Sequence, residues 1–277
     1  MRVKLALPAA LAIATLVGPA ISADLPDYVP VEPIIEQSGP SGWYLRGDIG
    51  YALETRSNGY YYGWDPARPS DLPRFHYEKV MLRSSLEFSA GVGYQFNDHF
   101  RADVTLGHWS RSVVGRARSP YNCLGIDPRD VSCRFEDSSR VSAWELMANG
   151  YADLTKHGRF TPYLGAGVGL AHLRFGKLTN NATCVDGAGA DVPGCGYVGT
   201  HGGQSSTRFA WALMAGTAID ITERIKIDIG YRFARVEGGR MWGWDAADTA
   251  AGAKGPQSFD NGFNTHSLRA GLRVALW

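Results

Sequence analysis

Few residues of this chain carry chemistry of their own. His108 and Ser110 stand two apart, a pairing in which an imidazole can take a proton from a hydroxyl nucleophile, but no carboxylate is placed to orient the ring. An enzyme is therefore not expected. The cysteines fall into two local pairs, Cys123 with Cys133 and Cys184 with Cys195, each inside one Gly/Pro/Asp-rich stretch. None of the C-x2-C spacings of structural zinc is present, so the pairs read as disulfides closing loops in an oxidising compartment, and no metal site is expected. Tyr60, Tyr61, Tyr62 and Trp64, with Trp242 and Trp244 further on, combine apolar area with a polar handle and are candidate contacts for an external partner. Such aromatics suit protein, glycan or haem contacts, with His76 and His201 as candidate haem ligands; otherwise no cofactor is expected.

The charged residues are more orderly. With 28 basic and 27 acidic side chains the net charge is +1, which leaves no footprint for nucleic acid. Along Trp43–Leu53, Trp43, Leu45, Ile49, Tyr51 and Leu53 share one face, whereas Arg46 and Asp48 take the other. The same alternation returns over Ser85–Phe96, from Phe100, over Val141–Leu154, from Phe160, over Phe209–Ile221, over Ile225–Phe233 and over Ser267–Trp277. It assigns Arg46, Asp48, Glu87, Arg101, Asp103, Glu145, Lys226, Asp228, Arg232, Arg269 and Arg273 to a common polar face, nearly balanced in sign. Gly165, Gly167 and Gly169 also fall there and leave room for water.

Eight strands follow from this count, or ten if a long connection hides a hairpin. Asn97–His99, Thr155–Arg159 and Thr222–Arg224 are short turns, whereas 55–84, 113–139, 174–206 and 237–264 are long, irregular connections. Greasy outward faces, short turns at one rim and long loops at the other predict an all-β fold, a closed antiparallel transmembrane barrel, because a sheet can cross hydrocarbon only without a free edge. Residues 1–23 begin with Arg2 and Lys4, continue apolar and end small, and so read as a signal peptide; 24–41, with four prolines, as an extended periplasmic segment; and 42–277 as the barrel.

Together with this order, the decapeptide Gly42-Trp43-Tyr44-Leu45-Arg46-Gly47-Asp48-Ile49-Gly50-Tyr51 and the terminal aromatic Trp277 resemble the small OmpA/OmpX-type barrels, closest to alphaproteobacterial porin-like surface proteins. The resemblance implies the Gram-negative outer membrane, with its lipid and lipopolysaccharide as partners. It also implies insertion by the barrel-assembly machinery, which reads the last strand and for which Trp277 is the signal. Because such a barrel is only wide enough for its own side chains, balanced inward charges point to a salt-bridged plug and a structural, surface-contact role. A narrow pore for small solutes is the alternative, and ligand binding by the aromatic loops, haem included, a lesser one.

Overall fold

The computed structural model describes residues 41–64, 67–122 and 132–276, all within the compact unit Ser38–Trp277. The signal peptide and periplasmic segment, Cys123 and Trp277 lie outside the described residues. The strands are β1 (Gly42–Ala52), β2 (Thr55–Tyr62), β3 (Arg74–His76), β4 (Lys79–Leu82), β5 (Ser85–Gln95), β6 (Phe100–Asn122), β7 (Ser132–Asp153) and β8 (Phe160–Phe175). They continue as β9 (Leu178–Val185), β10 (Asp191–Gly203), β11 (Ser205–Asp220), β12 (Ile225–Val236), β13 (Gly239–Arg240), β14 (Trp242–Asp245) and β15 (Ser258–Ala275), with one short helix, α1 (Ala246–Ala250).

Eight of the strands close a ring in the order β1–β5–β6–β7–β8–β11–β12–β15, every neighbour antiparallel, and β15 returns to β1 through Tyr44↔Ala275 to Ala52↔Ser267. This is the predicted eight-stranded barrel. Its outer face is apolar: Trp43, Phe88, Phe100, Leu146, Leu164, Leu213, Ile229 and Leu268 are all exposed. Trp43, Tyr94 and Phe100 mark one end of the belt and Tyr51, Trp211 and Tyr231 the other, as interfacial girdles do. β1 spans this belt in 11 residues, about what a tilted strand needs to cross hydrocarbon.

The expected long loops are for the most part not loops. β6 runs for 23 residues and β7 for 22, roughly twice a transmembrane strand. The other strands of the ring extend likewise after a short break: β1 into β2, β5 back into β4, β8 into β9, β11 back into β10, and β12 into β13 and β14. These extensions pair in the same circular order, β2–β4–β6–β7–β9–β10–β14. The ring then closes through the Gly243↔Pro256 bridge and through β15 on β2. The hidden hairpins therefore add height to an eight-stranded barrel and no staves to a ten-stranded one. Among the described residues of these segments, the longer true connections lie at the far rim, including 67–73, 186–190 and 246–257.

Beyond the apolar belt the alternation changes sign. Val80, Leu82, Val113, Val141, Leu173, Phe175, Leu178, Met241, Trp242 and Phe263 point inward and form the main hydrophobic core, whereas Arg116, Glu136, Arg140 and Arg174 point out. The breaks between tiers are linked by register: Arg83 N donates to Ser112 O, Ser112 faces Arg140, Gly176 N donates to Arg140 O, and Gln204 accepts from Phe175 N. Water surrounds this upper wall, so its apolar residues turn inside.

Candidate functional site

Within the membrane the lumen is filled by ion pairs. At the periplasmic end Arg101 pairs with Asp153 and Arg273 with Asp228, at 3.1 and 2.8 Å. The Arg101 guanidinium also lies 3.9 Å from the Tyr151 ring centroid. Next, Arg46 bridges Asp48 and Asp103 at 2.6 and 2.7 Å and donates to the Tyr151 hydroxyl, while Tyr44 and Asn149 donate to the Asp103 carboxylate. The third layer joins Glu87 to Arg111 and Arg269, and Glu145 to Arg232 and the Trp109 indole. Each charge has an opposite partner, as groups removed from water require.

Ten of the eleven inward charges expected from the alternation belong to this array. Lys226 stands apart, paired with Asp220 at the periplasmic turn. Arg111, only 1% exposed, and Asp153 belong as well but were not singled out. Asp153 was visible on the polar phase of its run. Arg111 lies where β6 leaves the membrane and its outward neighbours cease to be greasy. The inward glycines hold no channel of water: Tyr151 lies over Gly165, Asn149 over Gly167 and Met147 over Gly169. The void among the charges is about 20 Å³, close to the space of one water.

Above the charges sits the apolar core, which encloses a second pair, Arg208–Asp260 at 2.7 Å. Trp242, 1% exposed, is part of the core and donates its indole N–H to Gly176 O, while Trp244 is buried against Trp64. Neither tryptophan of β14 is free to meet an outside partner, because the strand that carries them closes the upper ring. Tyr61 turns inward too. Tyr60 and Tyr62 remain on the outer wall around Phe259, Tyr60 stacked on it at 5.2 Å with the Arg74 guanidinium over the Tyr60 ring, 5.2 Å from its centroid.

The extracellular mouth holds a cavity of about 120 Å³ lined by Tyr61, Tyr77, Asp137, Tyr197, His201 and Asp248 among others. Burial pushes the Asp137 carboxyl up to about 6, against one hydrogen bond from Asn180. Burial and the neighbouring Asp245 do the same for Asp248, also to about 6. Burial depresses His201, whose Nδ1 contacts Gly243 O. His76 sits beside Tyr60 on the outer wall, so the two histidines considered for haem lie on opposite sides of it. At the other end of the barrel a periplasmic vestibule of about 580 Å³ is lined by Tyr44, Asp153, Lys226 and Arg273.

Cys184 and Cys195 join β9 to β10, as their spacing suggested. Cys133 is also disulfide-bonded and faces Cys184 across the β7–β9 pairing. His108 packs on Trp144 at 4.7 Å between ring centroids, on the outer face near the top of the belt.

A lipid-facing ring, a charged lumen and a closed extracellular wall define a transmembrane β-barrel. The chain belongs to the outer membrane protein β-barrel domain family, whose model matches residues 10–275, and it resides in the outer membrane. It is 40% identical over 274 residues to an uncharacterized protein of Brucella suis, covering 94% of this chain and 93% of that one. A protein of Rickettsia bellii that carries the provisional name of adhesin is 24% identical over 241 residues, with 85% and 88% covered. The fold is also similar to the crystal structure of neisserial surface protein A, with 17% identity and a TM-score of 0.41, over 86% of this chain and 99% of that one.

Proposed function

We propose that this protein is a non-conducting, non-enzymatic barrel that adds structure to the outer membrane and presents its extracellular wall for surface contacts. Residues 1–23 serve export and are removed, 24–41 form a periplasmic segment, and Trp277 is the aromatic that the assembly machinery reads. The observation that carries this reading is the arrangement of two seals in series, an ion-paired lumen with a void of about 20 Å³ and an apolar core above it. A solute crossing the barrel would have to part buried ion pairs, each strongly penalised once broken, and then pass a predominantly apolar layer whose few polar groups are already paired. The wall above the membrane offers the half-buried aromatic ridge of Tyr60, Tyr62 and Phe259 flanked by Arg74 and His76, and the provisional name of the Rickettsia relative accords with a contact role.

Planar-bilayer recording of the refolded protein tests the first half. A quiet membrane is expected from the wild type. Stable stepwise conductance, altered by Arg101→Ala or Asp103→Ala, would overturn the sealed barrel in favour of the narrow pore.

A further inference from the structure

The outer wall is unevenly charged just above the lipid belt. In the sector formed by β6, β7, β8 and β11 the arginines stand together without partners. Elsewhere at this level Arg83 pairs with Glu54 at 2.5 Å and Arg235 with Glu237 at 3.5 Å, and the one exposed arginine without an ion pair among the described residues there, Arg56, stands alone. The sector differs. Its outward residues beyond Leu106, Leu146, Leu170 and Phe209 are His108, Ser110 and Ser112 on β6, Trp144, Ser142 and Arg140 on β7, His172 and Arg174 on β8, and Thr207 and Ser205 on β11. No carboxylate occurs among them. Arg140 and Arg174 are exposed and make no ion pair among the described residues, and Lys177 follows at the same edge.

Register brings these groups together. Arg174 faces Ser142 on one side and Ser205 on the other; Arg140 faces Ser112 and lies diagonally from Arg174; His172 faces Trp144 and shares a hydrogen bond with Thr207. The height is equally defined. His172 and Arg174 stand roughly 7 and 13 Å along the strand beyond Leu170, the last lipid-facing residue of β8, a level reached by headgroups and not by acyl chains. Two planar guanidiniums backed by hydroxyl donors match a tetrahedral phosphate.

We propose that this sector is a docking site for the phosphate groups of outer-leaflet lipid, with Arg140 and Arg174 as the principal ligands and Ser112, Ser142 and Thr207 as supporting donors. The inference rests on the reading of the chain as an outer-membrane barrel whose wall emerges from the outer leaflet. Lipid is the source because the patch adjoins the apolar belt: one molecule can lay its chains on Leu146 and Leu170 while its phosphate meets the arginines, which a free anion cannot do.

The test uses the full barrel folded into phosphatidylcholine nanodiscs containing either bisphosphorylated lipid A or lipid A stripped of both phosphates. Native mass spectrometry counts the lipid A that stays with the protein. The wild type is expected to retain the phosphorylated form about tenfold better than the stripped one. Arg140→Ala/Arg174→Ala should abolish the preference, Arg140→Lys/Arg174→Lys should recover part of it, and Arg83→Ala/Arg235→Ala should leave it intact. Heat-shifted electrophoretic mobility confirms that each variant is folded. Equal retention of the two lipids by the wild type, an unchanged preference in the double alanine variant, or complete competition by excess inorganic phosphate would each overturn the proposal. A quiet barrel without the preference would sink this site alone, and a conducting barrel with it would sink the sealed lumen alone.

Discussion

Asp137 sits on the inward face of β7, 6% exposed, with Asn180 donating to one carboxylate oxygen and no lysine or arginine among the described residues lining the cavity it shares with Tyr77, His201 and Asp248. Its folded pKa of about 6 stands above the ordinary 3.8. Between those values the folded state holds a proton that the unfolded chain has lost, so stability is full below about 3.8 and falls as pH rises through 6. Asp137→Asn keeps the acceptor for Asn180 and removes the charge. It should stabilise the barrel by about 2–3 kcal/mol at pH 7.5 and by little at pH 4. Urea midpoints in detergent micelles at the two pH values check this, and a variant no more stable than wild type at pH 7.5 would show that Asp137 is solvated or paired. Charges within the membrane behave differently. Glu145 has Arg232 and the Trp109 indole as partners, so Glu145→Ala strands a buried guanidinium and should cost about 3–5 kcal/mol in the same assay.

At the scale of single strands, β7 and β8 approach so closely that β8 presents Gly165, Gly167 and Gly169 inward while Tyr151, Asn149 and Met147 of β7 occupy the space above them. A Cβ on Gly169 would meet the Met147 sulfur at 2.8 Å and the backbone of Leu146. Gly169→Ala should therefore lower the urea midpoint by the equivalent of about 1–3 kcal/mol, whereas Gly47→Ala, with nothing within 4 Å, should be close to neutral. Equal effects would mean that the strands part easily. This scale also explains what the sequence discloses. Within the belt, lipid on one side and ion pairs on the other force strict alternation, so eight strands, three short turns and ten of the network charges are legible from Trp43 onward. The upper tier escapes for two reasons. Its solvent moves to the outside, so Val113 and Leu173 take the inward phase that Arg101 and Asp103 hold lower down; and breaks at Leu53–Glu54, Arg83–Ser84 and Gly176–Lys177, together with Gly262 at a φ of +83°, shift the register. Glycine and serine at such breaks look like loop residues. The Tyr60–Trp64 and Met241–Trp244 segments lie within such stretches and so look like surface loops in sequence, although Trp242 is among the largest side chains fully enclosed in the core.

As a whole the molecule is one eight-stranded wall passing through two solvents, its inside polar where its outside is lipid and apolar where its outside is water. The two tiers thus draw stability from different sources: the lower from backbone pairing that hydrocarbon makes obligatory, the upper from burial of an apolar core away from water. A wall of paired strands resists proteases that cut loops of the same sequence. On folded barrels in liposomes, proteinase K should cut first in the exposed connections at 67–72 and 246–255 and should spare 174–185 and 205–212, which strict loop behaviour would expose in part. Val113→Asp places a carboxylate in the apolar core at a site 2% exposed and should release the upper tier alone. Cleavage then extends through 174–206, while the membrane ring keeps its heat-shifted mobility. If the variant lost that mobility shift as well, the two tiers would be a single cooperative unit; if wild-type 174–206 were cut as readily as 246–255, the extracellular wall would not be the closed barrel described.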